Sequence, residues 1–239
     1  EPRWLRLVCL SFVLCVVSPL GGRYATENQE LKLGLSLKRY TELPFLIDML
    51  VTKEMALLNP DTWDDRNDSF YIKQYAKVKG LKSTYALCLT EASETYHHWK
   101  IFSSGTSGVY VEFNRDQLLT SLENQTDLQT KSVEYKKITE LREINPETDE
   151  FPFLKRIVFK DEQEFRLFVG SDTDLGPILR LKFDLASINR IVLSPWLPQS
   201  VADHVKSVIK NISGCSNIKV YRSTLVENED WKSFAESVA

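Results

Sequence analysis

The sequence predicts an α+β fold: a mixed, mostly antiparallel sheet assembly flanked by helices. Three observations predict it. Short runs of period-two alternation recur, such as GVYVEFN (108–114) and EFRLFVG (164–170). Stretches with apolar residues at i, i+3, i+4 and i+7 stand among them, as in LPFLIDMLV (43–51). The two kinds mix without the strict strand–helix alternation of a parallel doubly wound sheet.

The elements follow in order. Leu35, Leu37 and Arg39 alternate with Ser36, Lys38 and Tyr40 in a short first strand. Thr41 then reads as a helix N-cap, Pro44 suits the first turn, and Tyr40 and Phe45 have the spacing of a hydrophobic staple. Leu43, Leu46, Ile47, Leu50 and Val51 form the buried stripe of that helix. A strand over 55–58 runs into the turn-rich NPDTWDDRNDSF (59–70). A helix over 71–79, a buried strand over 84–90 and a helix in ETYHHWKIF come next. SSGTSG is a loop, 108–114 a strand, 115–122 a helix and 131–138 a strand. The segment after Asp149 reads as helical. Three strands follow in EFRLFVG, ILRLKFD and INRIVLS. A helix from Pro198 to Ile212 carries Val201, Val205, Val208 and Ile212 on one stripe, then come the strand NIKVYRS and a terminal helix, 231–238.

Composition bounds the function. With 239 residues, 43% hydrophobic and 26% charged, the chain has the make-up of an ordinary globular protein. A net charge of −3 advertises no general nucleic-acid surface. Cys9, Cys15, Cys88 and Cys215 form no C-x-x-C pair, and only three histidines exist, so reduced thiols in a cytoplasmic protein are expected and a structural zinc site is not. The apolar run Leu7–Leu20 follows Arg3 and Arg6. It is short for a membrane span and lacks a small-x-small cleavage pattern. Three readings stand: a secretion signal, a short anchor, or an extension outside the native domain. The third is preferred, giving an extension over 1–32 and one α+β domain over 33–239.

The most informative stretch is KDEQEFRLFVG (160–170). On a strand, Glu162, Glu164 and Arg166 point to one face, and Phe165, Leu167 and Val169 to the other. Such a charged face is solvated, or a buried polar network that fixes the fold, or the lining of a ligand site. His97 and His98 are adjacent, cannot face one ligand together, and read as surface residues. Trp99 and Phe102 read as core. Asp64, Asp65 and Asp68 lack the glycine and distal glutamate of a calcium loop, so turn and capping roles are expected. Asp68 could also orient Arg39 or Arg166 through a charge-assisted bond. Lys136, Lys137, Arg142, Lys155, Arg156 and Lys160 are interrupted by acids, which leaves a nucleic-acid groove weakly supported.

Taken in order, LKRYT, Trp63-x-x-x-x-Asp68, LCLTE, HHWKIF, GVYVEF, FKDEQEFR, RIVLSPW and IKVYRS resemble the mainly bacterial family called domain of unknown function 2971. The resemblance covers residues 35 to 228. Ser69 and Tyr71 stand where that family has Pro and Glu, and Thr90 stands for its Ser. The matching positions are Arg39, Tyr40, Asp68, Glu91, Trp99, Glu162, Glu164 and Arg166. A second resemblance is to ADP-ribosyltransferases, which bind NAD in the cleft of a split sheet. It implies Glu164 as the ribose-contacting carboxylate and Glu162 as the group that orients the acceptor. It also implies Arg39, Tyr40, Asp68, Trp99 and Arg166 as cofactor-binding residues. NAD would be the substrate, a nucleic acid or protein the acceptor, and bacterial defence or stress a natural setting. The cleaved sugar passes through a cation that needs a nearby carboxylate. Two other readings remain open: a non-catalytic interaction module with an exposed apolar patch around Trp196, and a metal-dependent nuclease using Asp68, Glu91 and Glu164.

Overall fold

The computed structural model describes residues 36–103 and 105–238. The expected N-terminal extension therefore lies outside the described residues. Among those described, no helix is long and apolar enough to cross a membrane. Strands β1 (Ser36–Glu42), β2 (Glu54–Leu58), β3 (Ser83–Thr90), β4 (Gly108–Asn114), β5 (Leu128–Ser132), β8 (Glu164–Ser171), β9 (Ile178–Lys182), β10 (Ile188–Leu193) and β11 (Lys219–Arg222) make one sheet. Its backbone order is β11-β10-β4-β1-β3-β2-β9, with β8 paired to β3 and β5. All pairings are antiparallel except β10 with β11. A small parallel pair joins β6 (Glu134–Lys136) and β7 (Leu154–Arg156).

The sheet forks at β3. One edge of β3 is occupied by β8 along its whole length, from Ser83↔Ser171 to Thr90↔Glu164. The other edge is shared: β2 meets it at Ala86 and β1 at Thr90. Between those two contacts the edge has no strand partner. Arg39 closes the gap, its Nη1 donating to the Cys88 carbonyl at 3.0 Å. A backbone carbonyl left unpaired inside the fold would cost about 1–3 kcal/mol, so the guanidinium replaces the missing ladder bond.

Alternation assigns the two faces. Leu37, Leu87, Leu89, Val109, Val111, Phe113, Phe165, Leu167, Ile191 and Leu193 belong to the main core, with α1 (Leu43–Thr52), α4 (Arg115–Leu122) and α6 (Gln199–Asn211) packed against it. The other face carries two smaller clusters. Ile72 and Tyr75 of α2 (Arg66–Lys79) pack with Ala86, Phe153 and Phe168. Tyr40, Trp99, Tyr110 and Val192 lie with α3 (Tyr96–Phe102).

Several local expectations need correction. Glu42, not Thr41, occupies the N-cap of α1, without a side-chain cap bond. The Tyr40–Phe45 staple does not form, because Tyr40 packs on α3 and Phe45 is exposed. Helix α2 starts five residues early because Asp65 Oδ1 accepts from the Asn67 and Asp68 amides and caps it. The expected strand 131–138 is instead β5, β6 and the start of α5 (Ile138–Ile144). On α6 the buried residues are Ala202 and Ile209, while Val201 and Val208 are exposed.

Candidate functional site

Register pairs share a sheet face. Arg190↔Glu112, Glu112↔Lys38, Lys38↔Thr90 and Thr90↔Glu164 therefore form one row across β10, β4, β1, β3 and β8. This polar row crosses the fork on the face roofed by α2 and α3. Glu164 is at its end, with Arg166 one step along the same strand face.

Arg166 is wholly buried, and Asp68 and Glu164 are each 3% exposed. Arg166 Nε donates to Glu164 Oε1 at 2.7 Å and Nη2 to Glu164 Oε2 at 3.0 Å. Nη1 and Nη2 grip the Asp68 carboxylate at 2.9 and 2.7 Å, and Nη1 also reaches the Pro152 carbonyl at 2.7 Å. Every N–H of the guanidinium thus has a partner. Trp63 covers its face, 4.8 Å from the ring centroid. Of the two partners expected for Asp68, Arg166 is the one it bonds and Arg39 is not, and Asp68 enters the site because Asp65 starts α2 just before it.

Lys155 is the second organiser. Its Nζ donates to Glu162 Oε2 at 2.6 Å and Glu164 Oε2 at 3.3 Å, and lies 3.9 Å from Asp68. Burial alone would lower its pKa, but Glu164, Glu162 and Asp68 outweigh that and raise it, so it stays charged. No local signal in the sequence marks this role, since Lys155 sits in a mixed basic stretch and only the fold brings β7 under β8.

The two glutamates are pushed apart. Burial pushes the Glu164 carboxyl up, yet Arg166 and Lys155 more than offset this and hold it at about 2. Burial also pushes Glu162 up, and there it prevails over Lys155, with the Glu164 charge adding to the rise. Glu162 is also the more open, its side chain 18% exposed against 4% for Glu164.

The solvated-face expectation is overturned: Glu164 and Arg166 are buried beneath α2. Glu162 is also not on the strand. It ends a 3-10 segment, Ile157–Glu162, and Gln163 turns the chain at φ 41 before β8 begins. Arg39 lies on the opposite side of β1 from Lys38 and Tyr40, yet reaches into the fork near Glu164, whose charge acts on it. Burial lowers the Arg39 pKa against that pull. Tyr40 and Trp99 stand in the neighbouring aromatic cluster, their rings 5.3 Å apart and perpendicular. Trp99 Nε1 donates to Glu94 at 2.7 Å.

Glu91 does not join the site; it bonds Arg115 at 2.9 Å and Ser132 at 3.0 Å. Asp68 and Glu164 are bridged by Arg166, and among the described residues no three His, Cys, Asp or Glu side chains gather as metal ligands. The arrangement expected of a nuclease is therefore absent from the described residues. Hollows of about 360 and 730 Å³ border α4, and neither is lined by a residue of the cluster.

No protein family model matches the chain, and no curated protein matches it. Among solved structures, DarT of Thermus sp. 2.9 in complex with ADP-ribosylated ssDNA aligns with a TM-score of 0.41 and 10% identity, covering 82% of this chain and 95% of that one. The same protein in complex with NAD+ aligns at 0.40 and 10% identity, over 84% and 98%. At these values the likeness assigns no activity to this chain.

Proposed function

We propose that this chain is an ADP-ribosyltransferase-like enzyme that cleaves the glycosidic bond of NAD. One observation carries the reading: Glu162 and Glu164 share Lys155, yet one is held ionised and the other is shifted toward its protonated form. Paired carboxyls driven apart in this way divide acid–base and electrostatic work. Glu164, ionised at neutral pH, would stand beside the ribosyl cation as the C1′–nicotinamide bond breaks and nicotinamide leaves with the electron pair. Glu162, nearer solvent, would take the proton of an acceptor hydroxyl or of water as the new bond to C1′ forms. Lys155 holds both carboxyls, and Arg166, itself gripped by Asp68, fixes that of Glu164.

Nicotinamide release from NAD, wild type against Glu164→Gln, tests this. Loss of about 10²-fold or more in the variant, with the fold intact, is the expected result. A second reading has its own support: every N–H of Arg166 is engaged, as befits a network that only locks α2 and β7 to β8. Under it, neither wild type nor variant releases nicotinamide, and Glu164→Gln changes stability alone.

A further inference from the structure

Thr90 ends β3 where the polar row crosses the fork, and it is 6% exposed. Its hydroxyl makes two bonds. Oγ1 donates to the Glu162 carbonyl at 2.6 Å and accepts from the Ala92 amide at 3.0 Å. A carbonyl can only accept and an amide N–H can only donate, so the partners fix both directions. The Ala92 carbonyl is held in turn, because the buried Lys38 Nζ donates to it at 2.9 Å. Lys38, Ala92, Thr90 and Glu162 thus form a chain of hydrogen bonds. It runs from β1, across the end of β3, to the segment that precedes β8. The same loop leads into α3, where His98, expected at the surface, is 5% exposed and stacks on Tyr40 at 5.7 Å.

The receiving segment lies past the end of a ladder. The last register pair of β3 and β8 is Thr90↔Glu164, so Glu162 has no strand partner on β3. Gln163 turns in the left-handed region at φ 41, its amide closing on the Lys160 carbonyl at 3.1 Å. Its carbonyl accepts from the Glu91 amide at 2.9 Å. Residues 90 and 91 therefore hold the turn by two bonds, one from a side chain and one from the backbone. Only the first depends on the identity of a residue.

We propose that Thr90 is a positioning residue: its hydroxyl fixes the Glu162 backbone against the end of β3 and so keeps the Glu162 carboxylate on Lys155. The catalytic consequence rests on the proposed function; the positioning itself does not. Glu162 Oε2 is 2.6 Å from Lys155 Nζ, and the same Nζ also serves Glu164 at 3.3 Å. A backbone shift of about 1 Å at Glu162 would break the sharing, and displacements of that size are costly in a catalytic site.

The test compares Thr90→Val, which keeps the β-branched shape and removes the hydroxyl, with Thr90→Ser, which returns the hydroxyl. Carboxyl ¹³C NMR follows the Glu162 titration, assigned with Glu162→Gln, and nicotinamide release gives kcat and KM for NAD. In Thr90→Val the Glu162 carboxyl, no longer held in its buried place, should titrate closer to an ordinary glutamate. Its kcat should fall about 10-fold while KM stays within about twofold, as for a misplaced group. Thr90→Ser should restore much of both. Should Thr90→Val not fold, Thr90→Ala is read in the same way. An unchanged Glu162 midpoint in the folded variant without the hydroxyl overturns the inference, as does an equal fall in Thr90→Ser that tracks melting temperature. If wild type releases no nicotinamide, the functional reading alone fails, and the Glu162 midpoint still decides the role of Thr90.

Discussion

Glu164 is held at about 2 in the fold, against 4.5 for an unperturbed glutamate. Its folded pKa is depressed, so its contribution to stability is full above 4.5 and is lost as pH falls toward 2. The size is roughly 3 kcal/mol. Urea unfolding at pH 7 and pH 3 should therefore show the gap between wild type and Glu164→Gln narrowing in acid; a constant gap would contradict the ionised carboxylate. Glu162 has the opposite sign, since a raised carboxyl is proton-free only above the ordinary range. The acid limb of kcat should thus lie above pH 4.5 and be lost in Glu162→Gln, with activity down about 10²-fold. An acid limb that persists in Glu162→Gln would assign it to another group. The residues of this pair were visible in the sequence, which offered Asp68 either Arg39 or Arg166 as a partner; the fold pairs it with Arg166. Lys155 was not visible, because it owes its role to groups that only the fold brings to it, Asp68 above all.

At the scale of elements, the Asp68–Arg166–Glu164 bridge ties the first turn of α2 to β8, beside the apolar contact of Tyr75 with Phe168. Removing one partner of a buried pair strands the others, which costs about 3–5 kcal/mol. Arg166→Met should lower the urea unfolding free energy by that amount; a loss below about 1 kcal/mol would show that water reaches the freed carboxylates. Helix α3 is fitted closely to β4 at Gly108. A Cβ there would lie 2.6 Å from Ser103 Oγ and 2.7 Å from Ser103 Cβ, at the end of the helix. Gly108→Ala should cost about 1–3 kcal/mol by shifting α3, and a thermal melt matching wild type would refute that packing. Elements with strong periodicity, such as β4 over 108–114 and α4 over 115–122, lie where the sequence puts them. The region 128–162 does not, because β5 and β6 are short, half-exposed and paired only with distant strands.

For the whole molecule, the forked sheet separates an apolar core from a face on which polar groups are buried under α2 and α3. The interaction-module reading expected an exposed apolar patch around Trp196. Instead Trp196 packs beside Tyr96, with Lys100 4.1 Å above its ring. Among the described residues the three most exposed large apolar side chains lie on α7 (Glu229–Val238), where Trp231, Phe234 and Val238 are 80, 71 and 72% exposed and nothing is buried. Ending the chain after Glu227 should therefore leave the urea midpoint of the remaining fold unchanged; a clear loss would mean that α7 supports the fold.

By itself the sequence determined the α+β class, the main strands and helices, and the residues Glu164, Arg166 and Asp68 as candidates, with Asp68 left to pair with Arg39 or Arg166. Alternation and helical periodicity are local, and they record which side of an element avoids water. Only the tertiary structure decided that the charged face of β8 is roofed, that Glu162 arrives by a turn, that Arg39 fills the fork, and that Lys155 holds both carboxyls. Burial and charge pairing depend on what packs above a strand. A run of eleven residues carries no record of the helix that will cover it.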